Sequence, residues 1–236
     1  MLYEIAKPFV MGVVRVVWDP TIEGREHIPE TGAVILASNH HSYADTVFLP
    51  GQVRRTVHFL GKSDIFTGAS PWNRVAASIM RGLHVMPVDR TGGSAASSAI
   101  AGALAVLEAG EILGIYPEGT RSPDGRLYRG KTGVARVALA TGAPIVPVAM
   151  LGVHEAHQGR KYLPRRRPRI RVVVGKQVDA RSVALSLGAA DEGTVLRAVT
   201  DHVMDRIQEL SGQERTEEYA ADVKRRLREA SARREV

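Results

Sequence analysis

Ala33-Val34-Ile35-Leu36-Ala37-Ser38 runs directly into Asn39-His40-His41-Ser42-Tyr43-Ala44-Asp45. The first part is a short apolar run and predicts a buried strand. The second part is polar, and a polar cluster at the carboxyl end of a strand is where α/β folds place their chemistry. This stretch therefore predicts an α/β fold with a candidate catalytic loop at residues 39–45.

Short apolar runs and helical patterns alternate through the rest of the chain. Further strands are predicted at 56–61, 84–88, 111–116, 145–151 and 169–175, and helices at 45–49, 71–80, 94–108, 131–140 and 193–210. This alternation predicts a single domain with a mixed, largely parallel sheet flanked by helices. We expect the 145–151 strand to be an edge or irregular strand, because it contains Pro147 and follows Pro144.

The two ends of the chain differ from this central region, which we place at residues 21–212. Residues 1–20 carry apolar side chains at helical spacing and predict an amphipathic helix in a membrane interface, with Leu2, Phe9, Val13 and Trp18 toward the lipid. The same pattern fits a helix packed on the protein's own core. No signal peptide and no membrane-spanning run is expected. Residues 213–236 are highly charged with few apolar anchors, and predict a loosely held helix or tail.

Composition excludes some chemistry and localises the charge. The chain has 236 residues and no cysteine, which excludes disulfide bonds, thiolate metal sites and cysteine catalysis. The net charge of +7 equals the number of basic residues between 160 and 171, which are Arg160, Lys161, Arg165, Arg166, Arg167, Arg169 and Arg171. This patch suits an anionic partner such as phospholipid headgroups, nucleic acid or an acidic protein. It also fits a solvated hairpin arm.

His40 and Asp45 have the side chains of a general base and its orienting acid. A neutral imidazole can take a proton from an alcohol, and a carboxylate on its other nitrogen fixes the tautomer. Their separation suits a histidine in a loop and an aspartate at the start of the next helix. The sequence has no Gly-x-Ser-x-Gly elbow, so the histidine would activate a hydroxyl of the substrate. A capped helix start with a surface histidine remains the alternative.

A second polar cluster, Tyr116-Pro117-Glu118-Gly119-Thr120-Arg121-Ser122, follows another apolar run. Gly119 permits a close approach of the backbone to a ligand, and Arg121 offers a planar fork for phosphate or carboxylate. Lys131 precedes a helix, and a helix start with a nearby lysine suits phosphate. A turn with an exposed arginine is the alternative interpretation.

Four motifs in order resemble the glycerolipid acyltransferase family, whose best-known members are the 1-acyl-sn-glycerol-3-phosphate acyltransferases. They are Asn-His-x-Ser-x-x-Asp (39–45), Gly…Val-Asp-Arg (82–90), Pro-Glu-Gly-Thr-Arg-Ser (117–122) and Pro-Ile-Val-Pro-Val (144–148). The resemblance implies that His40 is the general base and Asp45 its partner. It also implies that the substrate is bound by Arg90, Glu118, Gly119, Thr120, Arg121 and Lys131. Tyr116 departs from the family by replacing a more usual phenylalanine.

The resemblance further implies an activity. It implies transfer of a fatty acyl group from acyl-CoA or acyl carrier protein to 1-acyl-glycerol 3-phosphate (lysophosphatidic acid), giving phosphatidic acid without metal or cofactor. We expect peripheral attachment to the cytoplasmic face of the cell membrane through residues 1–18 and Arg165, Arg166 and Arg167.

Three alternative functions fit parts of the sequence. The same chemistry on glycerol 3-phosphate, another lysophospholipid or a glycolipid is compatible with all four motifs. A nucleic-acid-binding module would use the arginine patch, but that patch lacks interleaved aromatic residues beyond Tyr162 and leaves the motifs unexplained. A metalloenzyme would draw on His40, His41, His154 and His157, whose spacing does not match His-Glu-x-x-His.

Overall fold

Seven strands form one sheet in the part of the chain that the computed structural model describes, which is Gly12, 14–62, Ser78, Gly82, 84–88, 95–156 and 169–233. The strands are β1 (Thr21–Glu23), β2 (Val34–Ser38), β3 (Val57–Lys62), β4 (Val85–Val88), β5 (Ile112–Ile115), β6 (Ile145–Leu151) and β7 (Arg171–Val174). Their order is β1-β7-β6-β2-β5-β3-β4, and the β6–β7 pair is the antiparallel one.

Helices cover both faces of this sheet. They are α1 (Asp45–Gln52), α2 (Ala95–Glu108), α3 (Gly133–Thr141), α4 (Val153–Ala156), α5 (Ala180–Ser186), α6 (Glu192–Ser211) and α7 (Ala220–Ala232), with a 3-10 helix at Arg25–His27. Successive side chains of a strand point to opposite faces, so Ile35 joins one hydrophobic core while Val34 and Leu36 join the other. Burial on both faces explains why β2 is apolar throughout and does not alternate.

The predicted fold class is confirmed: the sheet is mixed, largely parallel and flanked by helices. All six predicted strands are present, with ends that differ by one or two residues. The helices predicted at 45–49, 94–108, 131–140 and 193–210 correspond to α1, α2, α3 and α6, whereas of the one at 71–80 only Ser78, which is helical, is described. Strand β1 was not predicted, because its three residues are held by a partner far away in sequence, β7.

The expectation that residues 145–151 form an edge or irregular strand is wrong. Strand β6 lies inside the sheet, between β2 and β7. Pro147 is tolerated because it lies where the pairing with β7 ends: Gly175, one residue past β7, donates its N–H to the Pro147 carbonyl at 2.8 Å. The N–H that proline lacks would face this same end of the ladder. The sheet therefore loses one hydrogen bond at an interruption of the ladder, and pairing resumes between Ile145 and Val178.

Residues 14–18, the described part of the predicted amphipathic helix, are helical. Val14 is buried in the core, whereas Val16 is 77% exposed. The Trp18 and Phe48 rings pack in a T-shaped arrangement with their centroids 5.9 Å apart. Leu2, Phe9 and Val13 lie outside the described residues, so the amphipathic helix as a whole stays a prediction. Within the described ranges, every helix falls short, in length or apolar content, of what crossing a bilayer requires.

The segment after α6 is held to the domain by backbone hydrogen bonds. The N–H of Leu127 donates to Glu214, that of Thr216 donates to Leu127, and that of Arg129 donates to Glu218, at 2.9–3.0 Å. Helix α7 then packs Ala220 and Val223 against the fully buried Tyr128. The start of the charged segment is therefore docked more firmly than its composition indicates. Its division from the central domain at residue 212 stays a prediction.

Candidate active site

The two polar loops of the sequence meet at one edge of the sheet. Strands β2 and β5 are parallel neighbours, so the residues that follow them lie side by side. A backbone hydrogen bond from the N–H of Ser122 to the carbonyl of His40 (2.7 Å) joins the loops directly. The topology thus brings residues 39–45 and 116–122 into one site.

His40 and Asp45 form the predicted pair. Asp45 is the first residue of α1 and is fully buried, and its Oδ2 lies 2.8 Å from Nδ1 of His40. The same oxygen accepts the backbone N–H groups of His41 (2.7 Å) and Ser42 (2.9 Å). With Nδ1 donating to the carboxylate, Nε2 of His40 carries the lone pair that can accept a proton. The imidazole is 14% exposed, so a substrate can reach it.

Aromatic rings fix the plane of the His40 imidazole. Tyr116 stacks on it with ring centroids 3.9 Å apart and planes 11° apart, and Phe59 stacks behind Tyr116 at 5.5 Å. Burial raises the pKa of Tyr116 well above its usual value, and the Asp45 charge adds to this. Among the described residues, neither the Tyr116 hydroxyl nor Oδ1 of Asp45 has a hydrogen-bond partner. Hydrogen bonding and stacking together hold the base in one orientation.

Asn39 anchors the start of the catalytic loop to the neighbouring strand. Its Oδ1 accepts the N–H of Met150 in β6 (2.7 Å), and its Nδ2 donates to the Met150 carbonyl (3.2 Å). Nδ2 also donates to Oε1 of Gln213 (2.7 Å), beyond the end of α6. Asn39 is fully buried. Asn39 therefore fixes the start of the loop through hydrogen bonds to β6 and to the carboxyl-terminal segment.

Glu118 is buried, and it links the two loops through their backbones. Its Oε1 accepts the N–H of His40 (3.0 Å) and its Oε2 accepts the N–H of Tyr128 (2.9 Å). Burial raises the pKa of this carboxyl to about 8, although the two hydrogen bonds act in the opposite direction. Its predicted contact with substrate stays a prediction. The contacts seen in the structure position the backbone of His40.

The other predicted substrate-binding residues surround one turn. Gly119 has a φ of 72°, and a β carbon there would lie 3.2 Å from Cδ and Cε of Lys131, so glycine suits both the turn and the lysine passing over it. The Arg121 guanidinium lies 3.9 Å over the Tyr43 ring, a cation–π contact. Thr120 accepts a hydrogen bond through its hydroxyl from Lys224, in α7 (3.1 Å). Arg90 lies outside the described residues.

Comparison with known proteins assigns the family. The family model described as "Acyltransferase" matches residues 19–151, which contain all four motifs and most of the site. The chain belongs to the acyltransferase family. The resemblance drawn from the four motifs is thereby confirmed.

Several proteins resemble this acyltransferase along much of its length. The 1-acyl-sn-glycerol-3-phosphate acyltransferase of Bacillus subtilis is 27% identical over 191 residues, which are 80% of this chain and 86% of that protein. A chloroplastic enzyme of that name from Arabidopsis thaliana is 32% identical over 132 residues, and this chain covers 35% of its length. The crystal structure of the 1-acyl-sn-glycerophosphate (LPA) acyltransferase of Thermotoga maritima has the same fold, with a TM-score of 0.59, 21% identity, and coverage of 89% of this chain and 84% of that one.

The arginine patch of the acyltransferase is described in part. Arg169 pairs with Asp19 (2.8 Å) and Arg171 with Glu23 (2.9 Å), so these two charges are partly balanced. Arg165, Arg166 and Arg167 lie outside the described residues, and their role at a membrane stays a prediction. Across the described ranges, His, Asp and Glu side chains nowhere gather in a group of three or more that could hold a metal ion.

Lys224 contacts the site through Thr120, but the sequence did not single it out. Its signal was weak, because it lies in a segment where charged residues outnumber apolar ones. Ala220, Val223 and Leu227 do recur at helical spacing, and Lys224 borders this stripe. A helix with so short an apolar stripe does not by itself reveal what it packs against.

Proposed function

We propose that this acyltransferase moves a fatty acyl group from acyl-CoA, or from acyl carrier protein, to the free hydroxyl of 1-acyl-sn-glycerol 3-phosphate, which yields phosphatidic acid for phospholipid synthesis. The observation that carries the proposal is the His40–Asp45 pair, which opens beside a loop with Arg121 and with Lys131 over Gly119. The names of the Bacillus and Arabidopsis relatives support the choice of acceptor.

Proton transfer by His40 starts the reaction. Nε2 takes the proton of the acceptor hydroxyl while Nδ1–H stays bonded to Asp45, whose negative charge stabilises the imidazolium that forms. The hydroxyl oxygen attacks the thioester carbonyl, the carbon–sulfur bond then breaks, and the imidazolium returns its proton to the departing thiolate. Ester and free thiol are the products. The acyl group passes directly to the acceptor without a covalent enzyme intermediate.

The turn after β5 binds the phosphate of the acceptor. Arg121 supplies a guanidinium that lies over the Tyr43 ring, and Lys131 supplies an ammonium group beside Gly119. We place Arg90 with them on the strength of its motif. A phosphate fixed there holds the glycerol hydroxyl in reach of His40, which turns an encounter between two molecules into a reaction within one complex.

A peripheral position on the cytoplasmic face of the membrane suits a single-chain lipid substrate. We assign attachment to the amino-terminal helix and to Arg165, Arg166 and Arg167, which would meet anionic headgroups.

Thiol release from acyl-CoA in the presence of lysophosphatidic acid tests the proposal. We expect His40→Ala and Asp45→Asn each to lower kcat by about 10²–10⁴-fold, because one removes the base and the other its orienting charge. His202→Gln, in α6, serves as a control and should keep wild-type activity. Retention of most activity by His40→Ala would exclude this base. A panel of glycerol 3-phosphate, other lysophospholipids and glycolipids, assayed with the same donor, identifies the preferred acceptor.

A further inference from the structure

A lysine from the carboxyl-terminal helix reaches the loop that carries the predicted phosphate-binding residues. Nζ of Lys224 donates a hydrogen bond to Oγ1 of Thr120 at 3.1 Å. Helix α7 is fixed in this position, because Ala220 and Val223, on the same side of the helix, pack on Tyr128. Tyr128 in turn donates its N–H to Glu118. Lys224 is therefore built into the site by the same residues that position the catalytic loop.

The surroundings of Lys224 are positively charged. Burial, followed by repulsion from Arg121 and then from Arg228, lowers its pKa to about 8. The acid that opposes this effect is Glu118, which is buried and has a pKa raised to about 8, so it supplies little negative charge near neutral pH. Lys224 bonds to Thr120, the residue next to Arg121, and lies one helical turn from Arg228 on α7, so the three cations are neighbours with an ineffective counter-charge.

Among the described residues, two other arginines of α7 form ion pairs, unlike Arg121, Lys224 and Arg228. Arg225 lies 3.0 Å from Asp222, and Arg226 is paired with Glu218. In the described part of the chain, by comparison, no carboxylate lies within 4.0 Å of the charged groups of Arg121, Lys224 or Arg228. Cations held together without ion pairs create a potential that an anion can neutralise.

We propose that Lys224, with Arg228, completes the phosphate site begun by Arg121 and Lys131, so that helix α7 selects acceptors with a terminal phosphate monoester. The inference rests on the proposed function, since it names the group of the acceptor that α7 recognises. A phosphate monoester carries about −1.5 to −2 charges at neutral pH, whereas a diester headgroup carries one and a neutral lipid none. A site with several unpaired cations favours the monoester on charge alone.

Kinetics of Lys224→Met test this role. We expect the KM for lysophosphatidic acid to rise by about 10- to 100-fold, because a charge-assisted hydrogen bond to phosphate is lost, while the KM for acyl-CoA changes by less than about twofold. Lys224→Arg keeps the charge and should stay within about threefold of wild type. Arg225→Met removes one charge from the solvent side of the same helix and should leave both KM values unchanged. Thermal denaturation of all three variants checks that α7 still docks.

The pH dependence of kcat/KM for the acceptor distinguishes a role of Lys224 in binding from a purely structural role. In wild type, kcat/KM for the acceptor should fall above about pH 8, as Lys224 loses its proton next to Arg121, Arg228 and Glu118. In Lys224→Arg this decline should move to higher pH, because the guanidinium stays charged. An unchanged decline in Lys224→Arg would contradict the proposal.

Direct binding separates this inference from the proposed function. Titration calorimetry with a short-chain lysophosphatidic acid, and with the matching monoacylglycerol, should show tighter binding of the phosphate-bearing lipid by wild type and loss of that difference in Lys224→Met. If wild type binds this lipid but does not acylate it, the proposed function fails and the binding role of Lys224 stands. If wild type acylates it and Lys224→Met keeps its acceptor KM and affinity, the role of Lys224 is excluded.

Discussion

Oδ2 of Asp45 accepts hydrogen bonds from the His40 imidazole and from the backbone of His41 and Ser42. In the proposed mechanism, the atom that would stabilise the imidazolium is thus also the atom that holds the loop. A serine protease divides such tasks between residues far apart in sequence, whereas this enzyme places them within one turn at a helix start. Local geometry is the reason that this pair could be found from sequence: a loop followed by a helix brings the two side chains together without help from any distant element.

Titration of Glu118 makes the stability of the folded protein depend on pH, which the sequence did not indicate. Its pKa is raised to about 8 in the folded protein, whereas in the unfolded chain it is close to the usual 4.5. The folded state therefore binds this proton more tightly, and the stability that the carboxyl contributes is complete below about pH 4.5 and lost as pH rises through about 8. Over this window we expect the free energy of unfolding to fall by up to about 1.4 kcal/mol per pH unit from this residue.

Chemical denaturation of wild type and Glu118→Gln between about pH 5.5 and about pH 8.5 measures this effect. The amide does not titrate, so the variant should show a flatter dependence of unfolding free energy on pH. It should also be less stable than wild type at the acidic end, because its amide nitrogen cannot accept the backbone N–H that one carboxyl oxygen accepts. Parallel curves for the two proteins would show that Glu118 does not titrate as stated.

Helix α7 links packing at a distance to the acceptor loop. Its first turn is fixed by two small apolar side chains, Ala220 and Val223, against Tyr128. Because the contacts are so few, a single substitution can disturb them. A displaced α7 would move Lys224 as well. The position of this cation therefore depends on packing at Tyr128.

Ala220→Leu should push α7 away from Tyr128. Ala220 is fully buried, so we expect overpacking to lower the free energy of unfolding by about 1–3 kcal/mol. The KM for the acceptor should rise while the KM for the donor stays constant. Steady-state kinetics and denaturation together measure this, with Ala230→Leu as the matched change at an exposed position of the same helix. An unchanged acceptor KM in a destabilised Ala220→Leu protein would show that α7 docking and acceptor binding are independent.

Predictability from sequence differs between elements for physical reasons. Strand β2 was evident because burial on both faces requires a continuous apolar run, and α6 because its long apolar stripe gives a strong signal. The placement of β6 could not be deduced, because the tolerance of Pro147 depends on where β7 ends. The docking of α7 could not be deduced either, since it depends on Tyr128, which is almost a hundred residues earlier in the chain.

In the whole molecule, the site lies where the central strands β2, β5 and β6 end. In the sequence, the excess positive charge lies in residues 160–171, which follow β6 and end at the first residue of β7. The order of the strands was not readable from sequence, although their parallel pairing was. The parallel pairing of β2 and β5 places the loops that follow them at the same edge of the sheet.

The charge patch should govern binding to anionic membranes. Basic residues near such a surface contribute about 1 kcal/mol each, so changing Arg165, Arg166 and Arg167 to glutamine should weaken binding by roughly 100-fold. Flotation with vesicles that contain phosphatidylserine measures this, and added salt should reduce wild-type binding in the same direction. A triple change of the exposed Arg54, Arg136 and Arg206 to glutamine removes equal charge elsewhere. Equal loss of binding in both triple variants would show that net charge, and not this patch, is responsible.

The residues of this site are synthesised at widely separated times. His40 and Asp45 belong to the first fifth of the chain, whereas Gln213 and Lys224 belong to its last tenth. At usual rates of about 5–20 residues per second, the interval is on the order of ten seconds or more. Once residue 148 has been made, a nascent chain contains every motif, but Asn39 still lacks its bond to Gln213 and Thr120 its bond to Lys224. A ribosome-bound enzyme would thus gain its acceptor site only as its last helix emerges.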